Sequence, residues 1–160
     1  MAVGKNTIYV ATLGDVCPEQ EQADIKAAET VVPGATLLLD SNGEFIDHDS
    51  AGEAKDFFVA NLNAEAQESV SDAWTAGDTC TAFIPQAGQY FNMVVAASQN
   101  ITAKGTALTS NGDGTLKIAT ITGATPDVTI GFADEVVNTG GATALVRVRI
   151  ANASANLASA

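Results

Sequence analysis

Residues Thr79–Ala119, TCTAFIPQAGQYFNMVVAASQNITAKGTALTSNGDGTLKIA, constrain the fold more than any other stretch of this chain. They read as short strands and tight turns. Thr79–Pro85 and Tyr90–Ala97 are rich in β-branched and aromatic residues, with a Gln-Ala-Gly break between them. Thr106–Thr109 and Thr115–Ala119 flank Ser-Asn-Gly-Asp-Gly, where Asn111-Gly112 and Asp113-Gly114 tolerate the positive φ of hairpin turns. Side chains able to do acid, base or nucleophilic work are scarce here: Cys80, Lys104, Asp113 and Lys117. Asp113 belongs to the turn. The segment is built to present surface rather than to react.

A chain of 160 residues is expected to be one domain, burying roughly 70% of the surface its unfolded form exposes. Hydrophobic residues make up 46%, much of it Ala and Val, while aromatic residues are only 6%. That balance predicts a mainly β, single compact body with a core of small side chains anchored by Trp74 and the six Phe. No apolar run approaches the ~20 residues that span a bilayer as a helix. MAVGKNTIYVATLGD lacks an apolar h-region, so a soluble, unexported protein with no membrane partner is expected.

Charge is uneven. Residues 1–80 hold 15 Asp and Glu against Lys5, Lys26 and Lys55, whereas residues 81–160 balance four acids against four bases. The formal net charge of −12 therefore sits in the first half. Such a surface excludes nucleic acid as a partner, because phosphate neutralisation needs basic groups. It implies solubility and mutual repulsion of free copies, or a partner with a basic face. Cys17 and Cys80 form no C-x-x-C pair, and one histidine offers no zinc-ligand spacing. They are expected as buried free thiols, with a Cys17–Cys80 bridge as the alternative. No cofactor is implied.

Asn6–Thr12 is strand-like, and Pro18 opens EQEQADIKAAETVV, the best helix candidate: proline at the first position, then Glu19, Glu21 and Asp24 near the positive end of the helix dipole. An extended loop is the competing reading. Pro33-Gly34 ends this segment. Strands are expected at Ala35–Leu39, Phe45-Ile46, Phe57–Leu62, Val128–Val137 and Ala142–Ala151. Residues 64–78 fit either a short helix or a loop. The organisation that follows is an acidic N-terminal arm with a possible short helix (1–32), a β-rich body (33–151) and a flexible tail (152–160).

Three constellations invite chemistry. Asp47-His48-Asp49 resembles an acid–base or metal cluster, but no recognisable nucleophile motif or second ligand accompanies it, so a solvated loop is expected. Asp40-x-Asn42-Gly43 starts like a calcium loop with its glycine misplaced. Thr109–Thr120 aligns Asn111, Asp113 and Gly114 correctly but has Thr at both terminal ligand positions, so a hairpin turn is expected. Asn100-Ile-Thr102 and Asn152-Ala-Ser154 are formal glycosylation sequons. No set of acid, base and nucleophile converges, and an enzyme is not expected.

The order of features then resembles a known family. AGDTCTAFIP (Ala76–Pro85), AASQNITAKGTALTSNGDGTLK (Ala96–Lys117), Ile130-Gly-Phe-Ala-Asp-Glu135 and Val146–Ile150 are similar, in segment order and turn motifs, to the decoration (cement) proteins of tailed-bacteriophage heads. The resemblance covers Pro33–Ala151. It implies a β-clip/β-tulip-like or small barrel body, made in the host bacterial cytoplasm and placed on the outer surface of the capsid in the virion. It also implies a non-enzymatic role, clamping neighbouring major capsid protein subunits and stabilising the particle. Self-association is implied too, with a trimer favoured and a dimer or monomer possible. Another virion β-module, tail-associated or carbohydrate-binding, is the alternative. QNITAKGTAL also resembles the turn of biotinyl and lipoyl carrier domains, but the hairpin tip, Asn111–Gly114, carries no lysine.

Two sets of residues are candidates for a protein interface. Ile8, Tyr9 and Val10 form a β-prone segment able to pair with an exposed capsid strand, or else to join the protein's own sheet. Arg147 and Arg149 share one face of the last strand, opposite Val146, Val148 and Ile150. They are expected to pair with the acidic first half of the chain, or across an interface.

Overall fold

The computed structural model describes residues 5–12, 22–53, 55–63 and 69–151. Alternation along β13 (Ala144–Ile150) organises the larger of its two main sheets: Val146, Val148 and Ile150 are buried, and Arg147 and Arg149 lie on the opposite, half-buried face. β13 pairs antiparallel with β7 (Gln89–Val95) from Ala144↔Val95 to Arg149↔Tyr90. Its other edge takes β11 (Gly131–Ala133), which pairs with β9 (Ala107–Ser110). β9 turns through Asn111–Gly114 into β10 (Leu116–Ile118), and β10 meets β7 in parallel at Leu116↔Val95. The order β7–β10–β9–β11–β13 thereby closes on β7 as a five-stranded barrel. A barrel this small is filled by its own side chains. Phe91, Met93, Val95, Leu108, Leu116, Val146 and Val148 supply that core.

β1 (Tyr9–Thr12) adds to the outer edge of β7, with a register shift between Tyr9 and Ala11. The second sheet is antiparallel throughout, in the order β2 (Gln22–Lys26), β6 (Thr79–Phe83), β5 (Phe58–Ala60), β3 (Thr36–Leu39) and β4 (Phe45–Asp47). A two-stranded ribbon joins β8 (Asn100–Ile101) to β12 (Val137–Asn138). The second sheet is buried on both faces at its centre. Val59 and Phe83 pack into the barrel cluster, whereas Ala60, Cys80 and Ala82 join Ala27, Val31, Leu37, Phe45 and Trp74 in a second core. Phe83 and Tyr9 both approach Phe91 at 5.5 Å between ring centroids, riveting sheet to barrel.

Gly34 shows how closely the layers approach. Its N–H donates to Ala60 and its carbonyl accepts from Val94 of the barrel. With φ at +84°, a Cβ there would sit 2.7 Å from Leu145 Cδ2 and 2.8 Å from the Asn92 carbonyl oxygen. Only glycine fits that position.

Several expectations are corrected. The helix expected after Pro18 is a strand where the structure describes it. In β2, Ala23 and Ile25 pack toward the second core while Asp24 and Lys26 are exposed, and all five residues pair with β6. A strand partner satisfies the backbone and buries what a thin alanine stripe on a helix could not. Residues 18–21 and the Cys17 half of the candidate bridge lie outside the described residues, as does 152–160; Cys80 is a buried free thiol. No helix is present among the described residues. From 69 to 78 the chain is turns and a bridge, Val31↔Trp74; 64–68 lie outside. Val128–Val137 is no continuous strand: Asp134 and Glu135 turn between β11 and β12. The segment expected as an arm contributes β1 to one sheet and β2 to the other.

Candidate functional site

The arginine face is the first candidate. Arg147 Nε donates to Asp134 Oδ2 at 2.7 Å, and the Arg147 backbone N–H donates to Glu135 Oε1 at 2.5 Å. Lys104 lies 3.7 Å from the other oxygen of Asp134, and Lys5 pairs with Glu135. Burial pushes the Lys5 ammonium down, against the opposing pull of Glu135. Arg149 sits over the Phe132 ring, 5.3 Å from its centroid. Among the described residues, the carboxylates answering Arg147 come from the β11–β12 turn and not from the acidic first half. The reason is local: β11 is the antiparallel neighbour of β13, so its following turn projects along the arginine face.

The N-terminal candidate divides. Ile8 is fully buried in the barrel cluster, so it offers no contact surface without opening the core. Tyr9 and Val10 are half-buried, and Tyr9 is engaged with Phe83 and Phe91. The segment joins the protein's own sheet, the Ile8 carbonyl accepting from Asn92 N–H. Arg147 and the N-terminal segment converge at Glu135, which holds both Lys5 and Arg147.

The Asp47-His48-Asp49 stretch is not the solvated loop expected. His48 has no exposed surface. Its Nδ1 is 2.9 Å from Ser110 Oγ on the barrel hairpin and receives the Ser50 N–H at 3.3 Å, while Nε2 is buried and has no hydrogen-bond partner among the described residues. Desolvation, then the nearby Lys55 charge, hold its pKa below the ordinary histidine range. Asp47 lies alongside. Its Oδ1 is buried against Gly114, where a Cβ would fall 2.5 Å from that oxygen, and has no hydrogen-bond partner among the described residues. Burial, then the Glu29 and Asp113 charges, push the Asp47 carboxyl up to about 7. Sequence spacing carries no sign of this arrangement, because Ser110 lies 62 residues from His48.

A serine beside a histidine suggests nucleophilic chemistry, but here both groups are buried and no carboxylate reaches Nε2. Ser110 Oγ also accepts the Gly112 N–H at 3.1 Å. The pair is a polar staple between sheet and barrel. Asp113 caps its own turn through Thr115, and Asp40 caps the β3–β4 turn through the N–H groups of Asn42 and Glu44. Among the described residues no group of three His, Cys, Asp or Glu could hold a metal ion. No helix long and apolar enough to cross a membrane is present among the described residues.

No family model and no curated protein matches this chain. The site is therefore read from its own geometry.

Proposed function

We propose that this protein is a non-enzymatic capsid decoration protein that binds the outer surface of an assembled bacteriophage head and ties neighbouring major capsid protein subunits together. The observation that carries the proposal is a segment order that resembles that family's. The segments that carry it coincide with the framework of the molecule: Ala76–Pro85 contains β6, Ala96–Lys117 contains β8 and β9 and enters β10, Ile130–Glu135 contains β11, and Val146–Ile150 ends β13. The mechanism is repetition. A contact on the order of 1,000 Å² per copy is sufficient when many copies tie neighbours together. Closure of the barrel removes most free strand edges, which suits a rigid clamp. Trimerisation on the shell belongs to the same proposal.

Co-sedimentation of the purified protein with bare heads tests it. Decoration predicts saturable binding to heads, and heads without the protein that assemble yet rupture earlier under heat or osmotic shock. Partition with tails instead of heads would favour another virion module. Equal survival of bare and decorated heads would overturn the stabilising role.

A further inference from the structure

The contact between the second sheet and the barrel hairpin concentrates groups the proposed function does not use. Residues 47–52 lie against residues 110–115. Gly114 N–H donates to the His48 carbonyl at 3.4 Å, Gly52 N–H to the Ser110 carbonyl at 2.9 Å, and Thr36 N–H to the Gly114 carbonyl at 2.8 Å. Within this seam sit two buried polar atoms with no hydrogen-bond partner among the described residues, Asp47 Oδ1 and His48 Nε2. The charged groups facing Asp47 are both acidic: Glu29 from the β2–β3 connection, whose Oε1 accepts the Asp47 N–H at 2.7 Å, and Asp113 from the barrel turn. Facing His48 are Lys55, Asp49 and Glu53, all from its own loop.

We propose that this seam is a proton-dependent latch, closed while Asp47 carries its proton and loosened when Asp47 ionises. An ionised Asp47 places a third negative charge between Glu29 and Asp113, with one oxygen sealed from water against Gly114. A protonated Asp47 removes that repulsion and keeps the Glu29 contact, which uses the backbone N–H. The sign follows from linkage. A carboxyl raised in the folded state contributes its stability in full below its ordinary value and loses it as pH rises through about 7. His48 works in the opposite sense: held low, it contributes above the ordinary histidine value and loses that contribution as pH falls. Asp47 therefore weakens the seam on the alkaline side and His48 on the acidic side. The inference is independent of capsid binding.

Amide hydrogen exchange in the full-length protein, read at Thr36 and Gly114, tests it against Asp47→Asn. His48 is common to both proteins, so the ratio of their protection factors isolates Asp47. The wild-type to variant ratio is expected to fall about tenfold between about pH 5.5 and about pH 8, a value reduced for partial solvent screening of Asp47. A ratio independent of pH overturns the latch. Glu29→Gln keeps the acceptor oxygen but removes a charge facing Asp47, so the midpoint of the wild-type pH dependence is expected to move to lower pH in that variant. An unmoved midpoint overturns it equally.

Discussion

Thr36 holds Gly114 twice: its backbone N–H at 2.8 Å and its hydroxyl at 2.9 Å both donate to the Gly114 carbonyl oxygen. Both residues are buried, Thr36 in β3 of the second sheet and Gly114 in the turn between β9 and β10, so this one carbonyl links the β3 strand to the barrel hairpin. Thr36→Val keeps the shape and the backbone bond while deleting the hydroxyl. Its expected cost is about 1 kcal/mol, the usual net worth of one buried hydrogen bond. Urea denaturation with an unchanged m-value is the measurement.

Ile8 is expected to behave as a core residue. Ile8→Ala removes a fully buried side chain from the barrel cluster and should cost about 2–5 kcal/mol. Removal of residues 1–12 should likewise lower the melting temperature. A truncated protein that melts with the full chain would show that the β1–β7 pairing contributes nothing.

Gly34→Ala meets two obstacles at once, a positive φ and the Leu145 and Asn92 atoms already in place. Strain of this kind costs about 1–3 kcal/mol before any clash is counted. Because Gly34 bonds Val94, the loss should appear as faster exchange of the Val94 amide, well beyond that at the distant Asp40–Glu44 turn.

The two arginines should separate. Arg147→Ala breaks a half-exposed pair with Asp134 and should cost under about 1 kcal/mol, shrinking further as salt is added. Arg149→Ala loses the contact over Phe132, its one side-chain partner among the described residues, and should show little salt dependence. Thermal melts across a salt series distinguish them. If capsid binding depends on this face, a variant carrying both substitutions should also lose affinity for bare heads.

Cys80 should be chemically silent in the folded protein. It is fully buried, and burial pushes its thiol up to about 12. Peptide mapping after alkylation near neutral pH should find Cys80 unmodified until denaturant is added. Labelling of the native protein at the rate of a free thiol would mean that the second core opens readily.

Most strands were legible because their signals are local. β-branched and aromatic runs marked β6 and β7, Asn-Gly and Asp-Gly marked the β9–β10 hairpin, and alternation of Val and Ile with Arg marked β13. Asp113, a turn residue by its sequence context, caps that turn. β2 is not legible because its pattern mixes two signals: proline and acids suited to a helix start, then Ala23-Asp24-Ile25-Lys26, which alternates. Pairing with β6 decided between them, and pairing is not a property of the segment alone.

What the sequence determined by itself was the strand content, the turns and the two-faced character of β13, since each follows from residues within a few positions of one another. The tertiary structure alone decided that the barrel closes, that Arg147 is answered by Asp134 across a neighbouring strand, and that Asp47 and His48 are sealed against Ser110 and Gly114. Those outcomes rest on contacts between residues far apart in the chain. The burial that moves the Asp47 and His48 titrations exists only once both sheets are assembled.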